Sequence, residues 1–132
     1  YADELKKINH SRVVFTGYIN NENELSDLYK NCFAYIHGHE FGGTNPTMIN
    51  ALRYGCFILA LDTIFNREML ENGNYGLFFK KEKDSIKKLM NYNDITKINI
   101  FRKNSPKAIT SKYVWNNIAE QYLDVFKSLV DK

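Results

Sequence analysis

The groups with chemical potential in this chain are concentrated in one run, His37-Gly38-His39-Glu40-Phe41-Gly42-Gly43-Thr44-Asn45-Pro46-Thr47-Met48-Ile49-Asn50-Ala51-Leu52. Gly42 and Gly43 allow a sharp bend and a close approach of backbone to ligand. Asn45 is a strong N-cap residue, and Pro46 suits a first helical position because its missing N–H would be unpaired there anyway. A strand, a glycine loop and a capped helix start in this order converge free backbone N–H groups and a positive helix end on one spot. That arrangement suits a phosphate. The same glycine pair also occurs in plain strand-to-helix connections. G-x-G-x-x-G and the Walker lysine motif are both absent, which argues against an ordinary dinucleotide fold or a P-loop enzyme.

The imidazoles His37 and His39 with the Glu40 carboxylate raise a second possibility, a metal site. At the end of a strand the two rings are expected to point to opposite faces. His10 is distant in sequence and no D-x-D motif is present, so no metal is expected. His37 reads as a packed strand-end residue bonded to a loop carbonyl, and His39 as a loop residue.

The elements that must hold this run alternate regularly. Arg12 to Thr16 reads as a strand closed by Gly17, and Asn21 to Cys32 as a helix with an apolar stripe of Leu25, Leu28, Tyr29 and Cys32. A strand at 33–37 leads into the loop, and a helix from Pro46 to Tyr54 stops at Gly55. Cys56 to Leu61 is continuously apolar, as a strand covered on both faces would be. A short helix from Phe65 to Glu71, a turn at Asn72-Gly73-Asn74, a strand from Tyr75 to Lys80 and a helix from Asp84 to Tyr92, capped by Asp84, follow. Ile95 to Arg102 predicts a short helix interrupted near Ser105-Pro106. In the last helix, Val114 to Val130, the residues Trp115, Ile118, Ala119, Tyr122, Phe126 and Leu129 recur at helical spacing and read as core packing. Strand–helix units with short links predict an α/β fold, a Rossmann-like parallel sheet covered by helices. Ligands in such sheets sit beyond the carboxyl ends of the strands, where the 38–46 loop and the loops after Thr16 and Leu61 fall.

Bulk properties agree with one globular unit. The 132 residues with 44% hydrophobic content are enough for a single core. The 18 basic and 15 acidic residues leave a net charge of +3. Lysines are dispersed, and the Lys80–Lys88 stretch is diluted by Glu82 and Asp84, so a solvated face is expected and nucleic acid is not. Cys32 and Cys56 lack metal-like spacing and read as small buried hydrophobes in a reducing compartment. No signal peptide or membrane-length apolar run is visible, which predicts a cytoplasmic domain.

Three segments in order resemble the C-terminal, donor-binding domain of family-four retaining glycosyltransferases with the two-domain GT-B fold. More narrowly, the chain resembles the rhamnosyltransferase-like branch of bacterial surface-polysaccharide synthesis. His37 to Leu52 is similar to that branch's H-G-H-x-x-G-G-T-N-P-S-L-L-E-A pattern. Asn66-Arg67-Glu68-Met69-Leu70 is similar to its N-R-E-V-L segment, and Tyr113 to Ala119 to the family's Y/F-x-W-x-x-I-A helix. The resemblance implies a nucleoside-diphosphate sugar as donor substrate and no cofactor. Backbone donors at Gly42, Gly43 and Thr44, with the helix end beyond Asn45, would stabilise the diphosphate, whose charge grows as the glycosidic bond breaks, and Thr47 would belong to the same donor site. Gly17 and Tyr18 would line the base pocket, Glu68 would lie near the donor, and Glu40 and His39 are candidate sugar contacts. The family's ribose-binding glutamate maps onto Asn50, which loses a charged acceptor.

By the same resemblance residues 1–132 are expected to be one donor-binding domain, a fragment of a two-domain enzyme lacking the first strand, the first helix and an Arg/Lys pair. The isolated chain would then be inactive. The implied partners are an N-terminal acceptor domain of the same protein and a lipid-linked glycan at the inner face of the plasma membrane. A non-catalytic nucleotide-binding or assembly module with a transferase-like fold is the alternative, supported by Asn50. A receiver-like signalling domain needs clustered acidic residues at strand ends, where only Asp62 fits.

Overall fold

The apolar run that opens at Cys56 becomes the central strand of the sheet. In the computed structural model, which describes residues 2–130, β1 (Tyr35–His37), β2 (Ile58–Leu61) and β3 (Gly76–Phe79) form a parallel sheet in the order β1-β2-β3. The register pairs Tyr35 with Ile58 and Ile58 with Gly76. All four residues of β2 are buried, because both of its faces are covered. Ile58 and Ala60 pack with Met48, Leu52 and Leu70 on one side, and Phe57 and Leu59 with Ile98 and Phe101 on the other. This period-two split of one strand between two clusters is what a Rossmann-like layered α/β unit requires.

Helices α1 (Ala2–Lys6), α2 (Glu22–Asn31), α3 (Pro46–Arg53), α4 (Ile64–Met69), α5 (Lys83–Met90), α6 (Ile95–Ser111) and α7 (Trp115–Val130) complete the described chain. A single 3-10 turn at Glu71–Gly73 leads into β3. Side-chain caps set the starts of four helices. Asn21, Asn45, Thr63 and Asp94 each accept a backbone N–H from the first turn that follows. The predicted cap Asp84 instead lies inside the first turn of α5. Glu82 holds its N-cap position without a side-chain bond.

The run Arg12–Thr16 has strand composition but forms no strand. It pairs with no neighbour among the described residues, and Val14 stays 79% exposed. A strand exists only through its ladder, so composition without a partner leaves coil. Cys32 falls just past α2, as its C-cap.

The break expected near Pro106 does not occur, and α6 continues through it. Proline in a helix costs about 3 kcal/mol because the carbonyl four residues back loses its donor. That carbonyl, of Arg102, lies against Gly55, where a Cβ would come within 3.0 Å of it. Gly55 also has φ +70°, so glycine here serves both the turn after α3 and the close crossing of α3 and α6. Ser105, fully buried, bonds the Phe101 carbonyl at 2.8 Å. Burial of Ile98, Phe101 and Ala108 offsets the proline's cost.

The apolar stripe of α7, expected as core packing, does not pack into the core either. Trp115 is 83% exposed, Tyr122, Phe126 and Leu129 are exposed, and only Ile118 of the stripe is half-buried. Helical spacing specifies which residues share a face, but nothing in it supplies a surface for that face to meet. Among the described residues no helix is long and apolar enough to cross a membrane.

Candidate functional site

Parallel strands send their carboxyl ends to one edge, and there the chain leaves β1 at His37 and β2 at Leu61. The loop after His37 turns through Gly42 with φ +115°, a conformation L side chains rarely adopt. It then enters α3 through Asn45, whose Oδ1 accepts the Thr47 N–H at 3.0 Å and the Thr47 hydroxyl at 2.7 Å. The amides of Gly42, Gly43 and Thr44 donate to no other group among the described residues. Three free donors before a capped helix start make an anion-accepting corner.

Two contacts fix this loop to the sheet. The buried Asn66 of α4 donates through Nδ2 to the carbonyls of His39 at 3.0 Å and Leu61 at 2.8 Å. It thereby ties the loop after β1 to the end of β2. Lys81 bonds the Glu40 carboxylate at 2.5 Å from beyond β3. Beside them Asp62 takes a two-pronged bond from Arg67 at 2.5 and 2.7 Å, the favoured fork geometry. That bond, followed by the charge of Arg67, holds the Asp62 carboxyl below its ordinary range.

Under the loop lies a second chain of hydrogen bonds. The Tyr35 hydroxyl donates to Thr47 Oγ1 at 2.9 Å and meets His37 Nδ1 at 3.3 Å. Burial raises the Tyr35 phenol above its usual value, so it stays protonated. His37 is 2% exposed, and burial, followed by the proximity of His39, lowers its pKa. His37 is bonded to Tyr35, not to a loop carbonyl as expected. The two imidazoles do not diverge either. They stack with centroids 5.2 Å apart, since residues two apart along a strand direction share a face. No group of three His, Cys, Asp or Glu side chains able to hold a metal comes together among the described residues.

The loop encloses a cavity of about 90 Å³, walled by His37, His39, Glu40 and the run 41–46, with Phe65 and Asn66 opposite. A cavity this small admits one phosphoryl group or one edge of a sugar, since whole ligands occupy roughly 300 Å³ or more. Thr44 also borders a second cleft of about 460 Å³, with Glu68, Lys112, Tyr113, Gln121 and Tyr122 on its walls. Lys112 holds Glu68 there through its carboxylate at 3.4 Å and its carbonyl at 3.1 Å. Burial, then the charges of Glu68 and Glu71, pushes the Tyr113 phenol up to about 12.

Of the residues the sequence singled out, the structure gathers His39, Glu40, Gly42, Gly43, Thr44 and Asn45 around the small cavity. Thr47 stands behind it in the hydrogen-bond chain, and Glu68 lines the adjoining cleft. Gly17, Tyr18 and Asn50 are not on the walls of either space, and Tyr18 is 89% exposed. The packing of His37 was expected, but sequence reasoning passed over Asn66, Phe65 and the Tyr35 partner of His37. Asn66 stands in the quoted N-R-E segment, which marked its neighbourhood but not the reach of its amide to the His39 carbonyl. The Tyr35 partner could not be found in this way, since which groups meet under the loop is a tertiary fact.

A parallel sheet with an amide-rich loop and a helix N-terminus at its carboxyl edge defines a Rossmann-like ligand-binding unit. Residues 3–107 match the family model of glycosyl transferases group 1, and the chain belongs to that family. The matched span contains the whole glycine loop and ends inside α6, before α7. Membership carries a role in glycosyl transfer and binding of a nucleotide-sugar donor. No curated protein matches the chain significantly.

Proposed function

We propose that this chain is the donor-binding side of a GT-B, hexosyl-transferring enzyme that takes its sugar from a nucleoside diphosphate. The observation that carries the reading is the corner formed by the unbonded amides of Gly42, Gly43 and Thr44 before the Asn45 cap. A leaving diphosphate gains negative charge as the glycosidic bond breaks, and fixed donors at that point stabilise the transition state more than the ground state. Thr44 and Asn45 border the small cavity, while Thr47 braces Asn45 from behind.

Rhamnose or another deoxyhexose is the favoured sugar and a surface polysaccharide the favoured acceptor. This finer assignment is supported by the H-G-H-x-x-G-G-T-N-P pattern running from His37 to Pro46. The acceptor would be lipid-linked, met at the cytoplasmic face of the membrane, with its site on another domain of the same protein. No protein-bound cofactor is needed for this chemistry, since the donor carries its own activated leaving group. Gly17, Tyr18 and Asn50 join the donor site only if further structure brings them to it. The second reading, a nucleotide-binding or assembly module without catalysis, is supported by Asn50, which lacks the charge of the family's ribose-binding glutamate.

Titration with UDP, dTDP and GDP, followed through backbone amide NMR signals, tests the proposal. Saturable shifts at Gly42 to Met48 with one preferred nucleotide are expected, and Asn50→Glu should bind at least as well. Absence of any perturbation at millimolar nucleotide would refute an autonomous donor site.

A further inference from the structure

The direction of the hydrogen-bond chain under the loop determines which proton His37 carries. Asn45 Oδ1 accepts the Thr47 N–H, so that atom is oxygen and can only accept. The Thr47 hydroxyl proton is therefore spent on Asn45, and the Tyr35 proton on Thr47. The Tyr35 oxygen has only acceptor capacity left for His37 Nδ1. Neutral His37 thus carries its proton on Nδ1, and Nε2 presents a bare lone pair. That Nε2 is buried and has no hydrogen-bond partner among the described residues, and His37 is one of the residues that wall the loop cavity. A buried polar atom left unpaired is costly, and this one can be satisfied only by a donor.

Phosphate oxygens at neutral pH offer lone pairs, not protons, so a diphosphate is the wrong partner for this atom. The hydroxyls of a sugar are the right one. Resting on the donor-site reading above, we propose that His37 Nε2 accepts a hydroxyl of the donor's sugar and thereby reads the sugar, while the loop amides hold the diphosphate. The volume of about 90 Å³ fits the edge of a sugar ring entering beside His37. Burial, which disfavours imidazolium, keeps the lone pair available.

Calorimetric titration with UDP-glucose, dTDP-rhamnose and GDP-mannose, each beside its bare diphosphate, tests this assignment. The sugar nucleotide that binds should bind about tenfold tighter than its diphosphate, the worth of one buried hydrogen bond. His37→Phe should abolish that increment and leave diphosphate affinity unchanged, while His37→Gln, which offers an oxygen near the Nε2 position, should restore part of it. Equal weakening of diphosphate and sugar nucleotide by His37→Phe would overturn the assignment. So would a wild-type protein that binds the diphosphate but gains nothing from any of the three sugars, although the donor-site reading would then stand. If no nucleotide of either kind bound, both would fall. Ring nitrogen NMR of the unsubstituted protein needs no variant to fold. It should show the Nδ1–H tautomer of His37, with Nε2 the nitrogen that shifts on adding the sugar nucleotide. An Nε2–H tautomer would refute the proposal outright.

Discussion

Replacing Asn45 by aspartate separates the two duties of the loop, capping a helix and receiving an anion. The carboxylate keeps the acceptor that the Thr47 N–H uses at 3.0 Å, so the cap survives. A negative charge at a helix N-terminus adds about 0.3–1 kcal/mol of stability. For a separation on the order of 6 Å, the same charge would repel a phosphate held by the neighbouring amides. At an effective dielectric near 20 that repulsion is about 3 kcal/mol. Screening at physiological salt cuts it to roughly half, or about tenfold in affinity. Asn45→Ala should do the reverse. It loses the cap, worth about 1 kcal/mol, and lowers Tm by roughly 3–5 °C. It leaves the amides of Gly42, Gly43 and Thr44 in place, so nucleotide affinity should fall by only about twofold. Calorimetric melting and isothermal titration with whichever of UDP, dTDP and GDP binds would measure both quantities. If Asn45→Asp bound that nucleotide as tightly as the parent, the corner at Gly42–Asn45 would not be where the diphosphate sits.

Gly55→Ala should destabilise the protein by about 3 kcal/mol or more in urea unfolding, because it combines φ +70° with a Cβ 3.0 Å from the Arg102 carbonyl. An effect under about 1 kcal/mol would show that α3 and α6 shift apart freely. His37, with its pKa lowered on folding, contributes stability that is complete above its unfolded value near 6.5. That contribution is lost as pH falls through its lower folded value, so urea midpoints should fall from pH 7 to pH 5, and less steeply in His37→Gln. Asp62, also lowered, loses its contribution further down, below about pH 4. Burial, followed by the neighbouring Cys32, pushes the Cys56 thiol up to about 12, so native protein at pH 8 should alkylate at Cys56 only at its unfolding rate. Rapid labelling of Cys56 in mass spectrometry would contradict that packing.

The sheet core was legible because its signals are local. Continuous apolarity from Cys56 to Leu61 told of a strand covered on both faces, and Gly55, Asn45 and Pro46 punctuated α3 where it begins and ends. The glycine loop was legible for the same reason, since backbone conformation at Gly42 and capping at Asn45 depend on the residues themselves. Pairing and covering are not local. Arg12–Thr16 has the composition of a strand but, among the described residues, no neighbour with which to form a ladder, and the stripe of α7 has the spacing of a buried face but faces outward. Pro106 signalled a break that the packing of Phe101, Ser105 and Ala108 overrides. At the site itself, residue types in order marked a place for an anion. Only the fold brought Asn66 across to hold His39 and buried His37 against Tyr35, because a proton's position depends on which groups meet, and that is decided by tertiary contact.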